Sequence, residues 1–210
     1  MPKGWLDRLA TYLRRLPVER AFRQSLKALP LKIIIGAGPQ SQLGWVATDI
    51  SRLNLLKPER WGRYLQPCSV DALMAEHVWE HLSKEEAVSA AKTCFKYLKV
   101  GGYLRIAVPD GLQISAEYIE SVRPGGSGPG AEDHKVLYDY RSLTAMLRQA
   151  GFTVQSLEYF DEAGQFHAQP WDDEDGRISR SSRHDVRNVD GRLKYTSLIV
   201  DAIKPKAPQT

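Results

Sequence analysis

The chain has 210 residues, of which 42% are hydrophobic and 26% are charged, and its formal net charge at pH 7 is +4. This length suits one domain with a buried core, and no apolar run approaches the roughly 18 residues of a membrane-spanning helix. Two cysteines, Cys68 and Cys94, provide neither a disulfide framework nor a pair of metal ligands. Arginines, among them Arg8 and Arg14, interrupt the place where a secretory signal peptide would need an apolar core. We therefore expect a cytoplasmic protein without a membrane span.

Residues 1–30 form a basic segment, with seven lysines and arginines against two acidic side chains. Apolar residues between Trp5 and Leu16 recur at helical spacing, and Pro17 ends this predicted helix. A basic amphipathic helix packs on its own domain more often than it lies on an anionic surface. We predict packing on the domain, with weak surface association through residues 1–30 as the alternative.

The next part of the chain contains four apolar runs that predict buried strands: Leu31–Ile35, Trp45–Ile50, Ser69–Ala75 and Tyr103–Pro109. The first run leads into the glycine turn GAGP, and the second carries Asp49 near its end. A helix begins after a capping box formed by Ser83 and Glu86, and it ends before two glycines. Strand, helix and strand in this order predict a parallel βαβ unit.

The second half of the chain continues the alternation of helices and strands. Helices are predicted at 112–122 and 140–150, and strands at Phe152–Phe160 and Leu193–Ile203. The polar excursion Asp161–Arg192 separates the two strands and is too long for a hairpin turn. The last residues, 205–210, are predicted to be a disordered tail.

These segments, in this order, resemble class I S-adenosylmethionine-dependent methyltransferases. The likeness rests on the motifs IIIGAG, EHVWEHL, CFKYLKVGGYLRIAVPDG and LRQAGFTV, and it spans residues 31–203. EHVWEHL and the ending YTSLIVDAIKP are similar to a bacterial, type 11-like methyltransferase subgroup. The resemblance implies an α/β fold: a Rossmann-like, mostly parallel sheet with an antiparallel last strand, flanked by helices. It also implies a methyltransferase domain at 31–204, in which 161–192 is an inserted arm. The domain is expected to bind S-adenosylmethionine at the carboxyl edge of the sheet.

The predicted cofactor site combines residues indicated by their chemistry with residues implied by the family. Gly36 and Gly38 let the backbone approach a ligand, and the Asp49 carboxylate can accept hydrogen bonds from both ribose hydroxyls. In open α/β sheets, ligands bind beyond the strand ends where the strand order reverses. The resemblance adds the residues around Glu76, which line the cofactor in that family. The complete predicted set is Gly36, Ala37, Gly38, Asp49, Ile50, Ala75, Glu76 and His77.

A dinucleotide cofactor is the natural rival, but its fingerprint is incomplete here. That motif requires a third glycine where Ser41 stands, and an acid about 20 residues further on, whereas Asp49 comes too early. We therefore predict no nicotinamide or flavin site.

Two departures from the methyltransferase pattern remain. The first crossover, Ala37–Gly44, is abbreviated, and Ser51–Cys68 contains no clear strand with an acid for adenine.

The motif EHVWEHL contains H-x-x-E-H, the pattern of an inverted zinc-peptidase site. Such a site needs both histidines one turn apart on one regular helix, whereas the capping box at Ser83 starts the helix after His81. A third ligand is not evident at a plausible spacing, so we predict no metal site. The acidic run WDDEDG is not a calcium loop either, because Trp171 stands where an EF-hand needs an oxygen.

His77 is the predicted general base, since a neutral imidazole can take a proton from an attacking hydroxyl or amine. The alternative is that alignment alone suffices for methyl transfer. Glu80 and His81 are predicted to brace the turn, and Tyr138 is a weaker candidate for a role in the reaction. The predicted acceptor-binding residues are Asp110, His134, Arg180 and Arg183, the arginines because guanidinium groups suit carboxylates and phosphates.

The predicted function is therefore a cytoplasmic S-adenosylmethionine-dependent methyltransferase with a small or polymer-linked acceptor, such as a glycan. A non-catalytic, cofactor-binding domain of the same fold is one alternative. An RNA methyltransferase that binds phosphates through residues 1–30 is another. It is disfavoured because interleaved aromatic and basic residues do not recur elsewhere, and nucleic acid is not an expected partner.

Overall fold

The computed structural model describes residues 16–189 and 191–206. Within these ranges one sheet contains seven strands: β1 (Lys32–Ile34), β2 (Trp45–Ala47), β3 (Val70–Glu76), β4 (Leu98–Pro109), β5 (Thr153–Phe160), β6 (Phe166–Ala168) and β7 (Ser197–Ile203). The helices are α1 (16–25), α2 (Pro58–Trp61), α3 (Lys84–Tyr97), α4 (Ala116–Val122) and α5 (Tyr140–Gln149). Short 3-10 turns lie at Trp79–His81, Ala131–Asp133 and Asp173–Asp175. Of the helices in the described ranges, none is both long enough and apolar enough to cross a membrane.

The sheet has the order β2-β1-β3-β4-β7-β5-β6. β1 pairs in parallel with β2 and β3, and β3 pairs in parallel with β4. β7 is antiparallel to both of its neighbours, β4 and β5, and β6 returns antiparallel to β5. The chain therefore has the predicted Rossmann-like, mostly parallel sheet with an antiparallel last strand.

β1 and β2 are joined by a loop and not by a helix. Residues 35–44 form turns, yet the two strands pair in parallel, with Lys32 opposite Trp45. Backbone hydrogen bonds tie this loop to both strand ends: Ala37 N donates to Thr48 O (2.8 Å), and Thr48 N donates to Ile34 O (2.9 Å). The predicted abbreviated crossover is confirmed. Residues 51–68 contain α2 and turns but no strand, so among the described residues β2 is an edge of the sheet.

The two faces of the sheet are covered differently. Ile33 packs in the large core that includes residues of α3 and α5, whereas its neighbour Ile34 packs on the opposite face with Ile178 of the arm (161–192). Burying such an aliphatic side chain stabilises the fold by about 1.5–3 kcal/mol. The arm thus covers apolar surface that parallel sheets usually bury under helices.

Buried polar contacts fix the path of the arm across the sheet. Arg105 of β4 donates to Asp201 of β7 (2.8 Å) and to the Gly176 carbonyl in the arm (2.9 Å). The carboxylate of Glu158 on β5 accepts hydrogen bonds from two arm groups, the Ser182 amide (2.7 Å) and the Trp171 indole (3.1 Å). A buried charge that loses its partners costs free energy. The contacts of Arg105 and Glu158 therefore hold the arm in one position.

Element boundaries follow local hydrogen bonds. The predicted capping box is present, because the Ser83 hydroxyl accepts from Glu86 N and the Glu86 carboxylate accepts from Ser83 N. β7, however, begins at Ser197 and not at Leu193. The amides of Lys194 and Tyr195 both donate to the side-chain oxygen of Asn188 (2.9 Å each), so they are not available for strand pairing.

The predicted terminal segments lie partly outside the described residues, namely at 1–15 and 207–210. Pro17 falls within the helical stretch α1, and the helix predicted before it cannot be compared. At the other end, Lys204 is buried, and its ammonium donates to the Phe95 and Leu98 carbonyls (2.8 Å each). The end of β7 is therefore attached to the end of α3. The domain bounds themselves remain a prediction.

Candidate functional site

A crevice opens at the carboxyl ends of β1 and β3. From β1 the chain forms β2 on one side and then β3 on the other side of β1, so the strand order reverses here. Ligands of open α/β sheets bind at such reversal points. The crevice has a volume of about 810 Å³, within the range of small-molecule sites. Its walls come from residues within 36–40, 76–81, 129–134 and 177–187.

The loop after β1 forms one wall largely with its backbone. Gly36 and Gly38 have left-handed φ values of +63° and +52°. A Cβ at Gly36 would lie 2.8 Å from a methyl group of Val78, whereas a Cβ at Gly38 would face open space. Glycine is thus required by conformation at both positions. At Gly38 a ligand can approach the main chain directly, which fits the predicted cofactor contact.

Asp49 follows β2 and lies outside the lining of the crevice. Its Oδ1 accepts hydrogen bonds from the amide (2.8 Å) and the hydroxyl (2.5 Å) of Ser51. The hydrogen bond from that hydroxyl is the main cause that lowers the pKa of Asp49, and partial burial opposes it. The side chain is an exposed carboxylate at a strand end, which is suited to two ribose hydroxyls. The adjacent Ile50 points mostly into solvent.

Glu76 is bound by the arm. Its Oε2 accepts from Gln40 Nε2 (2.9 Å) and Ser179 N (3.0 Å), and its Oε1 accepts from Arg180 N (2.8 Å). The carboxylate is therefore satisfied by protein groups in this arrangement. The preceding Ala75 is fully buried in the core on the helix side. Of the predicted cofactor-binding residues after β3, only Glu76 and His77 line the crevice.

His77 has both ring nitrogens against protein groups. Nε2 lies 3.0 Å from the hydroxyl of Ser197, a fully buried residue at the start of β7, and Nδ1 lies 3.1 Å from Glu80 Oε1. The backbone at His77 is in the left-handed region (φ 55°), and its amide donates to Ala107 O (2.8 Å). Strain of this kind occurs at functional sites. The imidazole is held in place, and its role as a base stays a prediction.

Three side chains of metal-ligating type meet beside His77: Glu80, His81 and His134. The ligand atoms of the three lie within 4.8 Å of one another. A third side chain of ligand type, which is not evident from the sequence spacing, is thus present in His134, whereas the absence of a metal site stays a prediction. His134 follows a glycine-rich loop, and the chain after it is attached to the EHVWEHL turn because Lys135 N donates to Glu80 O (2.7 Å). Sequence spacing gives no sign of this contact.

Asp110 and Tyr138, two further candidates, are buried away from the crevice. The Asp110 carboxylate accepts from the amides of Leu112 (2.9 Å) and Phe160 (2.7 Å), so it holds the end of β4 against β5. Burial raises the pKa of Asp110 to about 6, although both hydrogen bonds oppose this shift. Burial also raises the pKa of Tyr138 to about 12, with the Glu80 carboxylate as the second cause. Both side chains therefore serve the packing of the fold and do not line the crevice.

The two predicted acceptor-binding arginines lie in different places. Arg180 lines the crevice, with one guanidinium nitrogen 3.7 Å from Glu76 Oε1 and about half of its side chain exposed. Arg183 lies outside it, paired with Asp173 and stacked 4.3 Å from the centre of the Trp171 ring. Arg183 therefore connects residues within the arm and does not face the crevice.

No protein-family model matches the chain, and no curated protein matches it. Among solved structures it is similar to an S-adenosylmethionine-dependent methyltransferase from Archaeoglobus fulgidus (16% identity, 91% of this chain and 94% of that chain, TM-score 0.46). A methyltransferase from Thermotoga maritima, described as a possible histamine N-methyltransferase, gives 16% identity, 93% and 95% coverage and a TM-score of 0.47. An O-methyltransferase family protein from Burkholderia thailandensis gives 12% identity, 93% of this chain, 57% of that chain and a TM-score of 0.48. At these identities and TM-scores the matches decide neither activity nor acceptor, and the strand order itself defines the fold.

Proposed function

We propose that this chain is an S-adenosylmethionine-dependent methyltransferase. The observation that carries the proposal is the crevice at the reversal of strand order, whose glycine loop is hydrogen-bonded to Thr48 at the end of β2, with the exposed Asp49 carboxylate next along the chain, outside the crevice lining. Gly38 would admit the cofactor to the backbone, and the ionised Asp49 would accept hydrogen bonds from the ribose. When bound, S-adenosylmethionine supplies a methyl group that passes from a sulfonium to an attacking nucleophile.

The protein would contribute mainly position and enclosure. Alignment of reacting groups can supply about 7–11 kcal/mol of a barrier in well-oriented cases. The arm closes one side of the crevice, and its amides are fixed on Glu76. His77 is fixed by Ser197 and Glu80. These contacts support a rigid wall that excludes water from the reacting atoms.

For the acceptor we propose an anionic molecule, small or polymer-linked, with a carboxylate or phosphate near the methylated group. The support is that Arg177, Arg180 and Arg187 line the crevice from the arm. Arg187 is already paired with Asp185 (2.6 Å). Arg180 lies 3.7 Å from Glu76 and is about half exposed, so it has donors to offer a ligand. A glycan that carries uronic acid or phosphate groups has the required chemistry.

Incubation of the full chain with radiolabelled S-adenosylmethionine and a fractionated lysate tests this proposal. Label should enter an acidic glycan or metabolite fraction, and nuclease treatment should leave it there. Label confined to RNA would favour the RNA methyltransferase alternative. Cofactor binding without label in any fraction would favour the non-catalytic alternative.

Once an acceptor is identified, Arg180→Ala should raise its KM about tenfold or more with little change in kcat, because a hydrogen bond to a charged group is lost on binding. Arg183→Ala is the matched control, since Arg183 braces Asp173 outside the crevice. Steady-state kinetics at several acceptor concentrations make the measurement. Equal KM values for Arg180→Ala and the wild type would remove the arm from acceptor selection.

A further inference from the structure

The cluster beside His77 has a buried carboxylate without a hydrogen-bond partner. Glu80 is 1% exposed. Its contact with His77 Nδ1 is short at 3.1 Å but lacks hydrogen-bond alignment, so within the described part of the chain neither carboxylate oxygen receives a hydrogen bond. Buried carboxylates normally pair with donors or coordinate metal ions. Glu80 therefore has free coordinating oxygens directed at its neighbours in the cluster.

His134 is prepared to act as a ligand. Its Nδ1 lies 2.7 Å from the Val122 carbonyl, which can only accept, so Nδ1 carries the proton and donates it. Nε2 of the neutral ring then holds a lone pair, and it lies 3.9 Å from Glu80 Oε1. A histidine whose other nitrogen donates to a backbone carbonyl is the usual arrangement at metal sites, because that bond fixes tautomer and ring orientation.

His81 completes a set of three. Its ring lies edge-on to the His134 ring, with 4.8 Å between ring centres. All three side chains line the crevice, so a fourth coordination position would face the space proposed for the ligands. Ligand atoms around tetrahedral zinc stand about 3.4 Å apart, given bond lengths of about 2.1 Å. The distances between the three ligand atoms must therefore shorten by an ångström or slightly more when the ion binds. Side-chain rotations can provide this movement.

We propose that Glu80, His81 and His134 bind a first-row divalent transition metal ion at the wall of the crevice, with zinc as the best candidate. Two imidazoles and one carboxylate, with an open position, form a ligand set of catalytic zinc sites. His77 belongs to the outer sphere of this site, since Nδ1 abuts Glu80 and Nε2 abuts Ser197. The open position would accept an oxygen, nitrogen or sulfur atom of a crevice ligand. The site does not depend on the proposed methyl transfer.

Metal titration of the chelator-treated full chain tests the proposal. Calorimetry with zinc ions and visible absorption with cobalt ions should both show one equivalent. Affinity should fall at least tenfold in His81→Ala and in Glu80→Gln. His81→Ala is the primary variant because, among the described residues, its ring makes no hydrogen bond that folding would lose. His77→Gln should weaken binding by about 10–100-fold, as changes to outer-sphere partners do.

The matched control is His167→Ala, since His167 pairs with Asp161 in the β5–β6 hairpin, away from the cluster, and its loss should leave metal affinity unchanged. Cys68→Ser serves as a second control, because Cys68 is an exposed thiol that could bind metal on its own. Absence of stoichiometric binding in the wild type would overturn the proposal. So would wild-type affinity in both His81→Ala and Glu80→Gln, or binding that is lost in Cys68→Ser.

Discussion

At the residue scale, Asp110 makes stability depend on pH. Burial raises its pKa from an ordinary 3.8 to about 6, so the folded chain holds this proton more tightly than the unfolded chain does. Its stabilising contribution is therefore complete below pH 3.8 and is lost as the pH rises through 6. Relative to Asp110→Asn, the wild type should lose about 2–3 kcal/mol of unfolding free energy between pH 4 and pH 7.

Urea unfolding of both proteins at the two pH values measures this difference. Asp172→Asn is a suitable control, because Asp172 is an exposed aspartate whose carboxylate also accepts a local amide hydrogen bond. If the wild type and Asp110→Asn lost stability in parallel over this pH range, Asp110 would not be the source of the pH dependence.

At the element scale, two carboxylates attach the arm to the sheet at different points. Glu76 accepts the amides of Ser179 and Arg180, and Glu158 accepts the amide of Ser182. Glu76→Gln replaces the charged acceptors by one neutral oxygen. We expect this change to loosen the arm locally and to lower the free energy of local opening by about 1.5–3 kcal/mol. Amide hydrogen exchange should quicken at Ser179 and Arg180 and stay slow in β3.

Glu158→Gln is the matched comparison for this prediction. It should quicken exchange at Ser182 and leave Ser179 protected, because the two attachments involve different strands. Unchanged exchange throughout the arm in both variants would show that apolar packing, such as that of Ile178, holds it without the carboxylates.

The sequence predicts local features of this fold well and tertiary contacts poorly. The capping box at Ser83 depends on residues three positions apart, and the strand pattern depends on short apolar runs, so both are predicted correctly. The binding of Glu76 by arm amides and the approach of His134 to Glu80 depend on backbone hydrogen bonds between distant segments. Backbone groups have no signature in the side-chain pattern, so these contacts could not be predicted.

At the scale of the whole molecule, the sheet lacks a strand beyond β2 within the described residues, and the arm covers one of its faces. The crevice is thus bounded by the arm where more regular α/β sheets have helices and strands. Its position at the reversal of strand order is nevertheless that of a ligand site. The proposed methyl transfer therefore requires that S-adenosylmethionine bind over the glycine loop, with its ribose on the Asp49 carboxylate.

Calorimetric titration of the full chain with S-adenosylmethionine and with its demethylated product measures this binding. Asp49→Asn keeps an acceptor for the Ser51 turn and removes the charge, whereas Asp172→Asn makes the same change at another exposed aspartate turn. We predict one binding site in the wild type, a loss of about 1.5–3 kcal/mol of binding free energy in Asp49→Asn, and unchanged affinity in Asp172→Asn. Absence of binding to the wild type, or equal affinity in Asp49→Asn, would show that the glycine loop and Asp49 do not form a cofactor site.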